Sequence, residues 1–333
     1  GGATVAEAKA EICGRDMTQV VAAALFDDHG RVLLAQRGAF DRHHAHQWEF
    51  PGGKVEAGEG LGQALTRELH EELLLNPSSA PSWKLLPGGV AADPGRDLQL
   101  HLLASRRYGP ARCVEHQELR WIPPVLAASL DLARLDRRLL RRLAAPHLLT
   151  ISGDVIEADY SPRFRPASAP DWWSGPWPLQ RWFMLRSPQL TEKAYAEQLV
   201  RVADSAHRST VGVLAHNRID LVAMAGVHGV HLSSWKAREL QSRPVGPDRW
   251  LSVACHSAAE IEHALKLDAD WVLLSPVRHT ASHPDRPALG WSAFRHMTQR
   301  LELPVIALGG MHPNDWRYAH RKGAHGVAGI RAF

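Results

Sequence analysis

Only three cysteines, Cys13, Cys113 and Cys255, occur in 333 residues, and they are widely separated. So few, and odd in number, they exclude a disulfide framework, and none of their spacings is that of a metal site. Long apolar runs are missing as well: none approaches the roughly 20 residues that a membrane-spanning helix needs. Residues 1–16 read as an ill-defined lead without a basic-then-apolar leader pattern. Runs of like charge are also absent. The net charge is +4 and the arginines are dispersed, which suits a small anionic substrate better than a nucleic-acid polymer. The expectation is a cytoplasmic protein with reduced thiols and neither a membrane nor a nucleic-acid partner. What is present is ordinary globular composition, 45% apolar and 22% charged, in a chain long enough for two domains.

The most specific stretch begins at Gly52-Gly53-Lys54 and runs through Glu59 to Arg67-Glu68-Leu69-His70-Glu71-Glu72. A glycine-rich turn enters a helix on which Glu68, Glu71 and Glu72, three and four apart, point to one side. Like charges so placed cost a bare helix a few tenths of a kcal/mol per pair, roughly 0.2–0.5. A hard divalent cation with oxygen ligands reverses that sign. Leu61, Leu65, Leu69 and Leu73 form an i,i+4 stripe beside the carboxylates that anchors the helix to a sheet.

This stretch resembles the Nudix box: Gly53, Glu59, Arg67, Glu68, Leu69, Glu71, Glu72 and the closing apolar Leu75 stand in its places. One place departs from it. Leu74 replaces the glycine that ends the helix in a left-handed turn, so the helix is expected to end differently, at Asn76-Pro77. Gln47-Trp48-Glu49-Phe50-Pro51 narrows the resemblance to the MutT-like branch, which acts on nucleoside triphosphates. The resemblance implies Mg2+, with Mn2+ as the alternative, held by Glu68, Glu71, Glu72, Glu115 and the Gly52 carbonyl. One of these glutamates would take the proton of an attacking water. Glu118 competes with Glu115 for its role. Arg67 and Glu59, with Gly53, would brace the site, and Lys54 would neutralise phosphate charge. Substrate contacts would come from Arg37, His43, Glu49, Phe50, Pro51, Gly52 and Lys54. The family's base-reading asparagine falls on Asp136, in an Arg-rich amphipathic helix over residues 130–143. A carboxylate there puts preference for an oxidised guanine in question.

A linker at Ala144-Ala145-Pro146 separates a first domain, 17–144, from a second, 147–333. The Trp- and Pro-rich run 160–178 fits packing better than base stacking. Strand-length apolar runs then alternate with helical patterns, starting near 148, 182, 211, 230, 251, 271, 305 and 327. Eight such units predict a TIM-type barrel. Arg218-Ile219-Asp220-Leu221, Gly229-Val230-His231-Leu232, Ser275-Pro276-Val277 and Ala307-Leu308-Gly309-Gly310-Met311 resemble thiamine-phosphate synthase and its non-catalytic relatives. Asn217 and Lys236 stand where that family has metal-binding aspartates. The resemblance therefore implies a degenerate barrel whose Gly309, Gly310 and Gly329 N–H groups cradle a phosphorylated ligand without catalysis.

The expected fold is thus a Nudix α/β/α sandwich followed by a degenerate (β/α)8-type barrel. The leading expectation of function is Mg2+-dependent hydrolysis of a nucleoside triphosphate, of the 8-oxo-dGTP type, to monophosphate and pyrophosphate. That would make it an enzyme of nucleotide-pool sanitation and DNA repair. Alternatives are a thiamine-pathway diphosphate as substrate, or a barrel acting as ligand sensor or residual synthase.

Overall fold

The parallel pair β1 (Thr18–Leu25) and β6 (Leu98–Ser105) centres a four-stranded sheet. Its order is β4-β1-β6-β5, with β4 (Gly52–Lys54) and β5 (Lys84–Asp93) antiparallel at its edges. A second sheet joins β3 (Trp48–Glu49), β2 (Val32–Gln36) and β7 (Glu118–Ile122) in the order β3-β2-β7. The computed structural model describes residues 17–39, 45–75, 83–93, 95–105, 111–153, 178–206, 209–280 and 287–330. His43 and the cluster Trp172, Trp173 and Trp177 lie outside these residues.

Helix α1 (Leu61–Leu73) realises the leucine stripe: Leu65, Leu69 and Leu73 are buried with Val21, Ala23, Leu25 and Leu103. It ends otherwise than expected. The cap is Leu74 itself, at φ 51° and ψ 26°, with its N–H on the His70 carbonyl and the Leu75 N–H on that of Leu69. The turn keeps the left-handed geometry of the usual glycine, and a non-glycine residue there costs about 1–2 kcal/mol. Helix α2 (Arg134–Ala144) carries Asp136 in its first turn.

The chain divides into two compact units. One holds residues 1–124, 130–142 and 176–178, the other 125–129, 143–175 and 179–333. In the second unit eight parallel strands close into a barrel, in the order β10-β11-β12-β13-β14-β15-β8-β9. They are β8 (Leu148–Ile151), β9 (Arg181–Leu185), β10 (Gly212–His216) and β11 (Gly229–Leu232), then β12 (Trp250–Cys255), β13 (Trp271–Leu274), β14 (Val305–Leu308) and β15 (Gly326–Gly329). The covering helices are α3 (Glu192–Ala206), α4 (Ser234–Arg238), α5 (Ala258–Lys266), α6 (Gly290–Thr298) and α7 (Trp316–Arg321).

The barrel is filled asymmetrically. At the N-terminal ends of the strands Trp182, Trp250 and Trp271 are buried against one another, with ring centroids 4.9, 5.7 and 6.3 Å apart. Gly212 makes room for them, since a Cβ there would come within 2.3 Å of the Trp182 ring. The Trp182 indole donates to the Ala144 carbonyl at 2.7 Å, so its N–H is satisfied although buried. Toward the C-terminal ends the filling turns polar. His216 and His231 stack with centroids 5.9 Å apart, and His231 Nδ1 lies 2.8 Å from Ser252 Oγ.

Candidate active site

The turn before α1 and the helix face meet because two glycines permit it. A Cβ on Gly53 would lie 2.3 Å from the Glu68 carboxyl carbon, and one on Gly52 would lie 2.1 Å from the Val21 carbonyl oxygen. Arg67 is the hub of the carboxylates. Its Nε and Nη2 reach the two Glu59 oxygens at 2.9 and 3.0 Å, and Nη1 reaches Glu68 at 2.8 Å and Glu71 at 3.4 Å. Nη2 also donates to the Lys54 carbonyl at 3.0 Å, which fixes the turn on the helix. Paired in this way, Glu59 is held down at about 2, by Arg67 first and the Glu56 N–H second.

Glu68 behaves oppositely. Burial, and then the charges of Glu72 and Glu71, raise its affinity for a proton against the pull of Arg67. Glu72 is buried, accepts the Gly52 N–H at 3.0 Å, and lies 3.2 Å from His116 Nε2 without the alignment of a hydrogen bond. Burial disfavours charge on His116, but Glu72, with Glu49 and Glu115 behind it, outweighs that and raises its pKa. The segment carrying His116 is tied to α1 by Arg112 and Val114 N–H bonds to the Leu73 and Glu72 carbonyls. Glu115 is exposed beside it, whereas Glu118 sits in β7, paired with Arg120 at 2.6 Å. His116 lies between the two candidate glutamates Glu115 and Glu118 and carries no motif of its own.

A cavity of about 300 Å³ opens beside this turn. Its lining includes Arg37, Glu49, Phe50, Gly52, Gly53, Lys54 and Asp136. Glu68, Glu71, Glu72, Glu115 and Pro51 are not part of it; the Pro51 carbonyl takes the Ala23 N–H at 2.8 Å. Arg37 and Glu49 hold each other, Nε to Oε2 at 2.7 Å, and burial raises the Glu49 pKa despite that partner. Asp136 is buried and accepts the Phe50 N–H at 2.8 Å. Burial first, and the Glu49 charge second, push its carboxyl up to about 7. Arg96, Asp93 and Arg134 complete the rim. Asp93 ends β5, Arg96 lies in the turn after it and Arg134 opens α2, so they meet only through the fold and share no local motif.

Glu68 stands beside the Glu71 and Glu72 carboxylates, and burial first and their charges after it raise its pKa; carboxylate oxygens so grouped suit a hard divalent cation. Among the described residues no three His, Cys, Asp or Glu side chains stand in a ready coordination group. Glu68 and Glu71 are turned to Arg67, and Glu72 to the Gly52 N–H.

The family model described as NUDIX domain matches residues 17–143. Over 126 residues the chain is 38% identical to the CTP pyrophosphohydrolase of Escherichia coli, covering 38% of this chain and 90% of that protein. The chain belongs to the Nudix family. The solution structure of the E. coli ORF135 protein is likewise 38% identical, with a TM-score of 0.33, over 38% of this chain and 86% of that one. To this Nudix domain is fused a barrel of another kind: the model described as thiamine monophosphate synthase matches residues 180–333. A thiamine-phosphate synthase of Chloroflexus aurantiacus is 24% identical over 148 residues, 44% of this chain and 68% of that protein. The likeness to MutT-like Nudix proteins and to thiamine-phosphate synthase that the motifs suggested thus extends over residues 17–143 and 180–333 respectively. Its fold is mixed α/β with a closed parallel barrel.

At the mouth of the barrel Asn217, at φ 57°, accepts both the Ser233 N–H at 2.8 Å and its hydroxyl at 3.1 Å. Lys236 is paired with Glu239 at 2.7 Å. Gly309 (φ 105°) and Gly310 (φ 65°) follow β14 in conformations that favour glycine. Both pack closely on the 276–278 turn, where a Cβ on Gly309 would lie 2.9 Å from Pro276 Cα. Gly329 is set apart from them. It ends β15 opposite Thr150, inside the strand ladder.

Proposed function

We propose that the Nudix domain hydrolyses a nucleoside triphosphate to its monophosphate and pyrophosphate, with a cytidine-type nucleotide as the preferred substrate. The cavity beside the box carries this reading: a polar floor at Asp136 and Glu49 suits a base, and Arg37, Lys54, Arg96 and Arg134 at its edge suit phosphates. The similarity to a CTP pyrophosphohydrolase supports cytidine, and Asp136 in place of an amide weighs against oxidised guanine. Glu68, Glu71, Glu72 and Glu115, with the Gly52 carbonyl, would hold Mg2+ or Mn2+. Such an ion supplies charge neutralisation and a more acidic water. Arg67 orients Glu68 and Glu71, the Gly52 N–H orients Glu72, and a glutamate of this group accepts the water proton. A carboxyl near 7 lets Asp136 serve as donor or acceptor to a base edge around neutral pH. Arg37, paired with Glu49, opposes the burial that raises the Glu49 pKa.

The barrel, on this reading, does not form thiamine phosphate. Asn217 and Lys236 replace the family's metal-binding carboxylates and are engaged with Ser233 and Glu239. It is a phosphorylated-ligand binder with Gly309 and Gly310 as the cradle and Gly329 at its edge. A Mg2+-dependent hydrolysis screen over CTP, dCTP, the other common nucleotides, 8-oxo-dGTP and thiamine diphosphate tests the whole proposal. CTP or dCTP should give the highest kcat/KM. Preferential turnover of thiamine diphosphate or 8-oxo-dGTP would overturn the substrate assignment.

A further inference from the structure

Several cations of the barrel unit are paired with carboxylates. Arg218 pairs with Asp220, Lys236 with Glu239, Arg243 with Asp270, Arg249 with Asp248 and Arg278 with Asp315. Arg295, His296 and Lys322 differ: among the described residues no salt bridge joins any of them to a carboxylate. All three line one open cleft of about 400 Å³, whose described lining holds no acidic residue.

The sequence builds this cleft from one helix face. Trp291, Arg295 and Gln299 recur at i, i+4 and i+8, and Ser292 and His296 run beside them, so one face along α6 and its C-cap presents them together. Lys322 arrives from the end of α7. Aromatic rings flank the charges. Trp291 meets Tyr318 edge-on at 5.5 Å, and Lys322 Nζ lies 5.4 Å from the Tyr318 ring, which is 39% exposed. Cations in the last turn of a helix complement its dipole, and that accounts for their sign at each helix separately. It does not account for two helices delivering theirs to one shared cavity without a counter-ion. Helices run back from the barrel mouth, so these helix ends lie away from the turns after the strands.

We propose that the cleft between α6 and α7 is a binding site for a phosphate-bearing anion, held by Arg295 and Lys322, with His296, Gln299 and Ser292 as further polar partners. The phosphate could belong to inorganic pyrophosphate or to a mononucleotide; the charge pattern recognises what they share. The site is separate from the Nudix box and does not depend on what that box hydrolyses.

The test is calorimetric titration of the full chain, without divalent cations, with inorganic pyrophosphate and with CMP. Binding should weaken about tenfold or more in the Arg295→Gln/Lys322→Gln double variant, be abolished by Arg295→Glu, and fall with added salt. It should persist in Glu68→Gln, which alters only the Nudix box. Pyrophosphate binding without CMP binding assigns the free anion, and stronger CMP binding assigns the nucleotide. No binding of either at millimolar concentration, or binding untouched by the double variant, would overturn the proposal. Both substituted side chains lie on the surface, and an unchanged melting temperature confirms that the variants fold.

Discussion

The two units treat charge in opposite ways. In the Nudix unit, five acidic side chains, Glu49, Glu59, Glu68, Glu71 and Glu72, crowd around a glycine turn, tethered by Arg37, Arg67 and two backbone N–H groups. In the barrel, the corresponding working end has an amide locked on a serine and a lysine locked on a glutamate. Its interior holds histidines kept neutral by burial. The raised acids of the first unit, Glu49, Glu68 and Asp136, owe their shifts first to burial and then to neighbouring carboxylates, whose charge a cation could offset. Depressed bases in the second signal a packed interior. The contrast agrees with the proposal that chemistry belongs to the first unit and ligand retention to the second.

The largest expected effect tests that assignment directly. Glu68→Gln and Glu72→Gln should each lower kcat by about 100-fold or more while leaving the melting profile intact, whereas Asn217→Asp should leave hydrolysis unchanged. Near-normal turnover in either glutamate variant, or a loss in Asn217→Asp, would break the comparison.

The second effect is on stability, and its sign differs between the units. His216 and His228 are depressed to about 4, mainly by burial. An unfolded chain takes up protons near 6.5, so their contribution is present above that pH and is lost as pH falls toward 4. Asp136 keeps its proton up to about 7 but would release it near 3.8 when unfolded. Its contribution is therefore present at low pH and is lost as pH rises through 7. His116, raised, acts in the same sense as Asp136, and His101, lowered by burial, offsets part of it. Scanning calorimetry from pH 7 to 5 should show the barrel transition falling relative to the Nudix transition, by roughly 2–4 °C for each kcal/mol lost. Parallel shifts would remove the contrast.

Asp136→Asn is expected to change selectivity more than rate. The amide keeps an acceptor for the Phe50 N–H, and the kcat/KM ratio of 8-oxo-dGTP to dGTP should rise about tenfold. The pH dependence of selectivity near 7 should disappear with it. An unchanged ratio would detach Asp136 from base reading. Smallest of all, Leu74→Gly should stabilise the Nudix unit by about 1 kcal/mol, because the left-handed cap no longer strains a side chain that is 48% exposed. The same variant identifies the Nudix transition in the calorimetric scan.

Much of this was legible in the sequence, for reasons that differ by region. The eight barrel strands are buried on both faces, so each appears as an apolar run and is found within about two residues of its place. The box was legible because Gly53, Glu68 and Glu72 are bound by steric and electrostatic needs at fixed spacing. β3, β4 and β7 were not, being short and held by partners distant in the chain, as when Ala35 meets Glu49. The end of α1 was misjudged because the turn after it is fixed by the packing of Leu73 and Leu75 strongly enough to force Leu74 left-handed. That Glu72 would face His116 depended on the return of the 111–117 segment to the helix. No local pattern encodes that return.

The three tryptophans at the base of the barrel have an optical consequence. Indoles whose centroids lie 4.9–6.3 Å apart at fixed angles couple their transition dipoles, so their excited states are shared rather than local. Such a triad should give the folded barrel an exciton couplet in circular dichroism. That signal depends on mutual orientation rather than on indole content. It would collapse once the strand ends part, even if each ring stayed out of water, and so reports on barrel closure independently of both the hydrolase and any ligand at the mouth.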